Sequence, residues 1–277
     1  MRTNFLKSIL VSLSLLTVAS CTSDDDGTME NTNPGKVTLE FDSEFAGNEL
    51  TLESANTENS NGEALTVTRF NYIVSNIVLI NEDGTSYTYP KEKSYFVVSE
   101  DIDDDLANIT EIVLEDVPAG KYTAVKFGVG VDKEKYDQGI SGAGDFWDKA
   151  GDYNMTWSWA AGYKYINFEG TYTSVTQTEE TVFKVHLGRA SDEVTNYTET
   201  SISVPSGSAI IVNEDMAPEV HITTDANGLL TASEALSLEA YNNAIMGGDG
   251  AVKVASNVSE IFAIDHVHNN EAGNSSH

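Results

Sequence analysis

The chain has 277 residues and a formal net charge of −29, with 44 acidic against 15 basic side chains. A field of this sign repels phosphate backbones, which excludes nucleic acid as a partner. Cysteine occurs once, so neither a disulfide framework nor a thiolate metal site can form. The length suits one large domain, or one domain with an appendage.

The N-terminal segment has the features of an exported bacterial lipoprotein. Arg2 and Lys7 precede an apolar run over residues 9–18, which is too short to span a bilayer. Small residues then lead to Cys21, as they do in a lipobox. We therefore predict that residues 1–20 are a signal peptide. Cys21 would carry the lipid that holds the mature chain at the membrane.

The segment after the cysteine predicts a flexible tether. Residues 21–36 are polar and acidic and have few large apolar side chains, so they cannot bury enough surface to fold. Thr22 stands where an Asp would retain a lipoprotein at an inner membrane, so we expect the outer membrane. The run Asp24–Asp26 resembles tags for export to the cell surface, and it is equally well explained as a solvated linker.

From residue 37 to 225 the chain shows the period-two pattern of β-strands. Val37, Leu39 and Phe41 alternate with polar residues, and similar short runs recur between polar turns. Many short strands of this kind predict a mainly β fold, namely an antiparallel β-sandwich.

Beyond residue 225 the pattern becomes helical. Ser233–Ala244 is rich in Ala, Leu and Glu and predicts a helix, and Asp249 is placed to cap a second one. We expect residues 226–277 to form a short helical extension of the same domain, which ends in a polar tail.

Four histidines are candidates for metal binding. His266 and His268 are two residues apart, so in an extended segment both imidazoles reach the same side, where they could bind copper or zinc. A solvated polar tail explains this spacing as well. His186 is either a ligand in a cleft or a half-exposed strand residue. His221 alternates with apolar neighbours in the same way, with weaker support.

A run of soft and aromatic side chains is the second candidate site. Met155, Trp157 and Trp159 would share one face of a strand. A thioether beside two indoles suits Cu(I), or electron loss from an indole. Aromatic residues at period two also fill sandwich interiors, so a core stripe is the competing interpretation. We find no catalytic or phosphate-binding motif in the sequence and expect no enzyme.

Taken in chain order, several segments resemble the MbnP-like family of copper-binding proteins. The most specific are Met155-Thr-Trp-Ser-Trp-Ala-Ala-Gly-Tyr163 and Val185-His-Leu-Gly188. The other segments lie at residues 70–79, 117–122, 127–132, 168–170, 246–248 and 266–268. Together they cover most of the chain from Val37 to His268.

The resemblance implies an exported, mostly β protein that binds copper, as Cu(I) or Cu(II), for capture, storage or handover. It implies His186, His266 and His268 as the ligand candidates. Met155 and Met246 are the candidates for a soft sulfur ligand.

The resemblance also implies a modified tryptophan. In some members a di-haem cytochrome c peroxidase oxidises a tryptophan to kynurenine, which then helps to bind copper beside histidines. The candidates in this chain are Trp157 and Trp159.

Two other classes of function remain open at this point. The β architecture, acidic surface and aromatic content also suit a surface lipoprotein for adhesion or glycan capture without metal. A structural envelope module without a ligand is the third possibility.

The lipid prediction can be tested with Cys21→Ala, which should leave the protein unacylated and soluble. Labelled palmitate and membrane fractionation are the measurements. A variant that still takes up palmitate and still sediments with membranes would contradict the lipobox assignment.

Overall fold

The computed structural model describes residues 32–55, 58–103, 106–139, 144–158, 162–189 and 195–272. The signal peptide, Cys21 and most of the tether lie outside these residues. Within them the chain is mainly β, as predicted. The strands are β1 (Gly35–Phe45), β2 (Asn48–Glu49), β3 (Glu63–Asn81), β4 (Ser86–Thr88), β5 (Tyr95–Asp101), β6 (Glu111–Val117), β7 (Gly120–Val129), β8 (Lys164–Ser174), β9 (Thr181–Gly188), β10 (Thr198–Ser203), β11 (Ile210–Val212), β12 (Met216–Asp225), β13 (Ala244–Ile245) and β14 (Phe262–Glu271).

These strands form two sheets. The first sheet has the order β14-β12-β1-β2, with β6 also paired to β1. The second has the order β10-β7-β3-β8-β9-β13, with β4 and β5 paired to β3 and β11 paired to β7. Most pairs are antiparallel, as expected, but the short β13 runs parallel to β9, and β1 runs parallel to β12. Parallel neighbours need a long crossover, and nearly the whole second sheet lies between these two strands in the chain.

Aromatic rings hold the two sheets together. Phe41 of β1 packs edge-on against Tyr72 of β3 and Phe127 of β7, with ring centroids 6.0 and 5.9 Å apart. Phe262, the first residue of β14, contacts the same two rings at 5.8 and 5.1 Å. The hydroxyl of Tyr72 also lies 3.1 Å from Thr224 Oγ1 of β12. The main core therefore fixes where β14 begins.

A second apolar cluster lies on the outer face of the second sheet. Ile73 belongs to it, whereas its neighbours along β3 face the main core, because successive strand residues point to opposite faces. Short helices cover this cluster between β7 and β8. The helices of the described residues are α1 (Lys133–Asp137), α2 (Asp145–Asp152), α3 (Gly228–Thr231) and α4 (Gly248–Val258).

The helix expected over Ser233–Ala244 is wrong. That segment is irregular apart from a short 3-10 turn at Glu239–Tyr241 and its last residue, where β13 begins. Buried polar side chains hold its backbone in other conformations: Glu63 accepts hydrogen bonds from Ser237 Oγ and the Leu238 amide. Asn257 likewise bonds to the backbone at Glu234. These tertiary contacts outweigh the helical propensity of the segment.

The rest of the C-terminal prediction is partly confirmed. The second expected helix is α4, although Asp249 lies in its first turn and makes no cap hydrogen bond. His266 and His268, for which an extended segment and a solvated tail were both considered, lie in β14, which pairs antiparallel with β12 along almost its full length. Residues 273–277 lie outside the described part of the chain. No helix among the described residues is long and apolar enough to cross a membrane.

Asp132 anchors the segment that covers the second cluster. It caps α1 by accepting from the amides of Glu134 and Lys135. Its carboxylate also accepts from three side chains, namely Asn76, Lys91 and Tyr95. Burial raises the pKa of Asp132, but these hydrogen bonds outweigh it and bring the pKa to about 2.

We expect Asp132→Asn to lower the free energy of unfolding at pH 7 by about 2 kcal/mol. Because the folded pKa is depressed, this contribution is present above the unfolded value of 3.8 and is lost as the pH falls towards about 2. Urea unfolding at several pH values is the measurement. Asp148→Asn, at an exposed position of α2, is the control. A stability difference that stays constant from pH 7 to pH 2 would contradict this role.

Candidate metal centre

Three adjacent strands of the first sheet bring polar side chains to one outward face. The register pairs Glu40 of β1 with His221 of β12, and His221 with His266 of β14. Two positions along β12, Glu219 pairs with His268. The alternate positions of these strands are apolar and buried in the core. Because side chains alternate across a strand, burial of that set turns the polar set outward.

The imidazoles of His221, His266 and His268 form a compact group, here called the three-histidine cluster. The rings of His221 and His266 are stacked, with centroids 4.2 Å apart and planes inclined by 8°. The ring of His268 stands nearly perpendicular to both, at 5.2 and 4.7 Å. One ring nitrogen from each histidine lies within 4.8 Å of the other two. That spacing allows all three to reach one ion.

Carboxylates set the tautomers of two of the rings. His221 Nδ1 lies 3.2 Å from Asp42 Oδ2 and 3.4 Å from Glu40 Oε2. His266 Nδ1 lies 2.7 Å from Asp265 Oδ2. An ionised carboxylate only accepts hydrogen bonds, so Nδ1 must be the donor in both contacts. In the neutral rings this leaves the Nε2 lone pairs available for a metal ion.

The Nε2 atoms are placed where an ion could use them. Nε2 of His266 and Nε2 of His268 are 3.0 Å apart. Because Nε2 of His266 is unprotonated, Nε2 of His268 donates this hydrogen bond, and an ion would replace that proton between the two nitrogens. His221 Nε2 is buried and has no hydrogen-bond partner among the described residues. A buried polar atom left in this way costs about 1–3 kcal/mol, which coordination would offset.

A carboxylate group adjoins the cluster. Ligand atoms of Glu40, Glu219 and His221 also lie within 4.8 Å of one another. The ring of His221 therefore has the histidines of β14 as neighbours on one side and the carboxylates of Glu40 and Glu219 on the other.

His186 does not join the three-histidine cluster, contrary to the expected set of His186, His266 and His268. It lies on β9, in the other sheet, and is 6% exposed. Its Nε2 is 2.7 Å from Glu169 Oε1, and the other oxygen of Glu169 is 2.6 Å from Arg69 Nη1. His266 and His268 face His221 instead, because β14 pairs with β12.

The contact between His186 and Glu169 is a hydrogen bond from a neutral ring to a carboxylate. Burial lowers the pKa of His186, and its hydrogen bond to Glu169 offsets this only in part. Burial raises the pKa of Glu169, but the hydrogen bond with His186 and the charge of Arg69 outweigh it and hold the pKa at about 2. Since the carboxylate accepts, Nε2 of His186 carries the proton.

Trp157 lies beside His186 and away from the three-histidine cluster. Its ring is 5.8 Å from the ring of His186, and the ammonium group of Lys164 lies 5.8 Å from the indole. Gly188 makes room for the indole, because a Cβ there would lie 3.0 Å from Trp157 Cζ2. Trp159 lies outside the described residues.

The expected strand over Met155–Trp159 is wrong for its described part. Residues 155–158 form a loop with one bridge between Thr156 and Tyr163. Met155 is fully buried in the second apolar cluster, which matches the core interpretation of this residue. Met246 is 50% exposed next to β13 in the second sheet. Neither methionine belongs to the three-histidine cluster.

His221 was only a weakly supported candidate from the sequence, and Glu40 and Glu219 were not candidates. The alternation of Glu219, His221 and Thr223 with buried residues on β12 was the available signal. What no local pattern reveals is that β12 lies between β1 and β14 in the sheet.

Comparison with known proteins identifies the family. The MbnP family profile matches residues 34–247, and the chain belongs to this family. Among solved structures, MbnP from Methylosinus trichosporium is similar, with 12% sequence identity, a TM-score of 0.43 and coverage of 86% of this chain and 99% of that chain. No curated protein sequence matches the chain. The family match includes His221 but ends before His266 and His268.

The tautomers give a direct test of the site geometry. We expect long-range 1H–15N NMR spectra of metal-free protein at pH 8 to show protonated Nδ1 and unprotonated Nε2 in His221 and His266. His186 is the internal control, because Glu169 should hold it in the opposite tautomer. Protonated Nε2 in both cluster histidines would contradict the carboxylate contacts.

Proposed function

We propose that this protein binds copper at the three-histidine cluster and holds it at the cell envelope for capture, storage or handover. The observation that carries the proposal is the convergence of three ring nitrogens within 4.8 Å of one another on paired strands. Imidazole suits several first-row metals, and copper binds most tightly among the divalent ones. Membership of the MbnP family supports copper as the metal.

The surrounding groups suit a metal carrier. Carboxylates that accept from Nδ1 orient the ring and increase the basicity of the opposite nitrogen. Asp42 and Glu40 would do so for His221, and Asp265 for His266. The site faces outward on a sheet, so an ion can enter and leave without a large movement of the backbone. We assign no catalytic role, in keeping with the absence of a catalytic motif in the sequence.

We place the protein at the outer membrane, anchored by lipid on Cys21. The N-terminal sequence supports this location through its basic start, short apolar run and single cysteine. The acidic tether would then hold the β-domain away from the lipid surface, on either side of the membrane.

Copper binding should depend on the three-histidine cluster. We expect His221→Ala, His266→Ala and His268→Ala each to weaken copper binding by more than about 100-fold, because loss of a ligand should exceed the 10–100-fold effect typical of outer-shell changes. Titration of purified apo-protein against a competing chelator is the measurement.

His186→Gln is the matched control for this titration. It removes the one imidazole outside the cluster among the described residues and keeps a donor for Glu169. It lies in the other sheet. In protein from a host without the peroxidase, its copper affinity should equal that of the wild type. Tight binding by the triple variant His221→Ala, His266→Ala, His268→Ala, or loss of binding in His186→Gln, would overturn the assignment.

We also propose that a partner di-haem cytochrome c peroxidase oxidises a tryptophan of this chain. The indole of Trp157 is half-buried and lies next to the ring of His186, which supports Trp157 as the modified residue. Once oxidised, Trp157 would provide a copper ligand beside His186, away from the three-histidine cluster. Trp159 remains the other candidate. An acidic surface would help a basic redox partner to dock, although it confers steering and not specificity.

Peptide mass analysis over residues 155–163 tests the oxidation. Protein from the native host should contain kynurenine or its formyl form, and protein from a host without the peroxidase should contain intact tryptophan. Two intact tryptophans in native protein that binds copper tightly would show that the modification does not extend to this member.

A further inference from the structure

Ser43 and Glu100 are polar side chains at positions where the strand pattern predicts core residues. On β1, Phe41 and Phe45 lie two residues before and after Ser43, and both belong to the main core. On β5, Val98 lies two residues before Glu100 and belongs to the same core. Because side chains alternate along a strand, Ser43 and Glu100 both face the space between the two sheets.

These two side chains meet in a cleft at one edge of the sandwich. The pairing of β1 with β6 ends before Asp42, and its pairing with β2 begins after Ser43, which leaves a gap beside this part of β1. The cleft in this gap has a volume of about 340 Å³. Among the described residues that line it there is no lysine or arginine, but there are four carboxylates: Glu40, Asp42, Glu49 and Glu100.

The polar groups in the cleft are poorly compensated. Burial raises the pKa of Glu100, the nearby hydroxyl of Ser43 offsets this only in part, and the charges of Asp42 and Glu49 raise the pKa further. Ser43 is only 8% exposed, and its Oγ makes no hydrogen bond of acceptable geometry with the described residues. A cation between these groups would relieve both the repulsion of the carboxylates and the isolation of the hydroxyl.

We propose that this cleft is a calcium site, in which Asp42, Glu49 and Glu100 supply carboxylate oxygens and Ser43 supplies its hydroxyl. The ion would join β1 and β2 of the first sheet to β5 of the second, and so hold this edge of the sandwich together. The proposal does not depend on copper, because the residues that line the cleft offer oxygen atoms and no imidazole.

The donors and their placement favour Ca²⁺. Carboxylate and hydroxyl oxygens suit hard cations, whereas soft metals prefer sulfur and imidazole. Oδ2 of Asp42 contacts His221, which leaves Oδ1 for the cleft. Glu49 is exposed, so an ion can enter from solvent. Ca²⁺ accepts six to eight oxygens at about 2.3–2.6 Å in flexible geometry, and water can complete the set, whereas Mg²⁺ demands a near-ideal octahedron.

The test is calorimetric titration of Ca²⁺ into the full mature protein after removal of bound metal. We expect one site with a dissociation constant on the order of 10⁻⁴ to 10⁻³ M, as in extracellular calcium modules. The double variant Glu49→Gln, Glu100→Gln should bind Ca²⁺ at least about tenfold more weakly, because it loses two of the charges that hold the ion. Mg²⁺ should bind the wild type at least about tenfold more weakly than Ca²⁺.

Glu179→Gln, Glu180→Gln is the matched control. Both residues are exposed just before β9 in the other sheet, and the substitutions remove the same charge. Their effect on Ca²⁺ affinity should be less than about twofold.

Thermal unfolding distinguishes a calcium ligand from a residue that only supports the fold. Excess Ca²⁺ should raise the unfolding temperature of the wild type and of the control, and should leave that of the double variant Glu49→Gln, Glu100→Gln almost unchanged. Absence of saturable Ca²⁺ binding to the wild type would overturn the site. Equal affinities for Ca²⁺ and Mg²⁺, or equal losses in the cleft variant and in the control, would also overturn it, because either result shows only a general attraction of dications to an acidic protein.

Discussion

The antiparallel pairing of β14 with β12 is the contact on which the candidate metal site depends. It sets His266 opposite His221 and His268 opposite Glu219. A shift of this register by one residue would turn both C-terminal histidines towards the core. Phe262 opposes such a shift, because its ring packs against Tyr72 and Phe127 of the second sheet. The packing between the two sheets thus determines the geometry of the site.

The same pairing explains why carboxylates and imidazoles occur together. A β-bulge between His221 and Ile222 leaves Asp265 as an extra residue on β14, and its carboxylate contacts the ring of His266. On the other side, parallel pairing with β1 brings Glu40 next to His221. Each carboxylate orients a ring whose opposite nitrogen faces the cluster. The bulge therefore helps to build the site, and β-bulges are common next to functional sites.

Much of the fold was predictable, because period-two burial is a local property of a strand. The β-sandwich followed from such patterns, and so did the proximity of His266 to His268, whereas α4 followed from helical spacing. The choice of His186 as their companion failed, since strand order depends on contacts between distant parts of the chain. The expected helix at Ser233–Ala244 failed for a related reason: Glu63 and Asn257, which both lie outside the segment, bind its backbone.

The most direct test of the account is anomalous X-ray diffraction from crystals of the copper-loaded protein, measured on both sides of the copper absorption edge. In protein from a host without the peroxidase, we expect one copper peak about 2.0 Å from Nε2 of His221, His266 and His268. A copper peak beside His186 and Trp157, with none at the three-histidine cluster, would contradict the account.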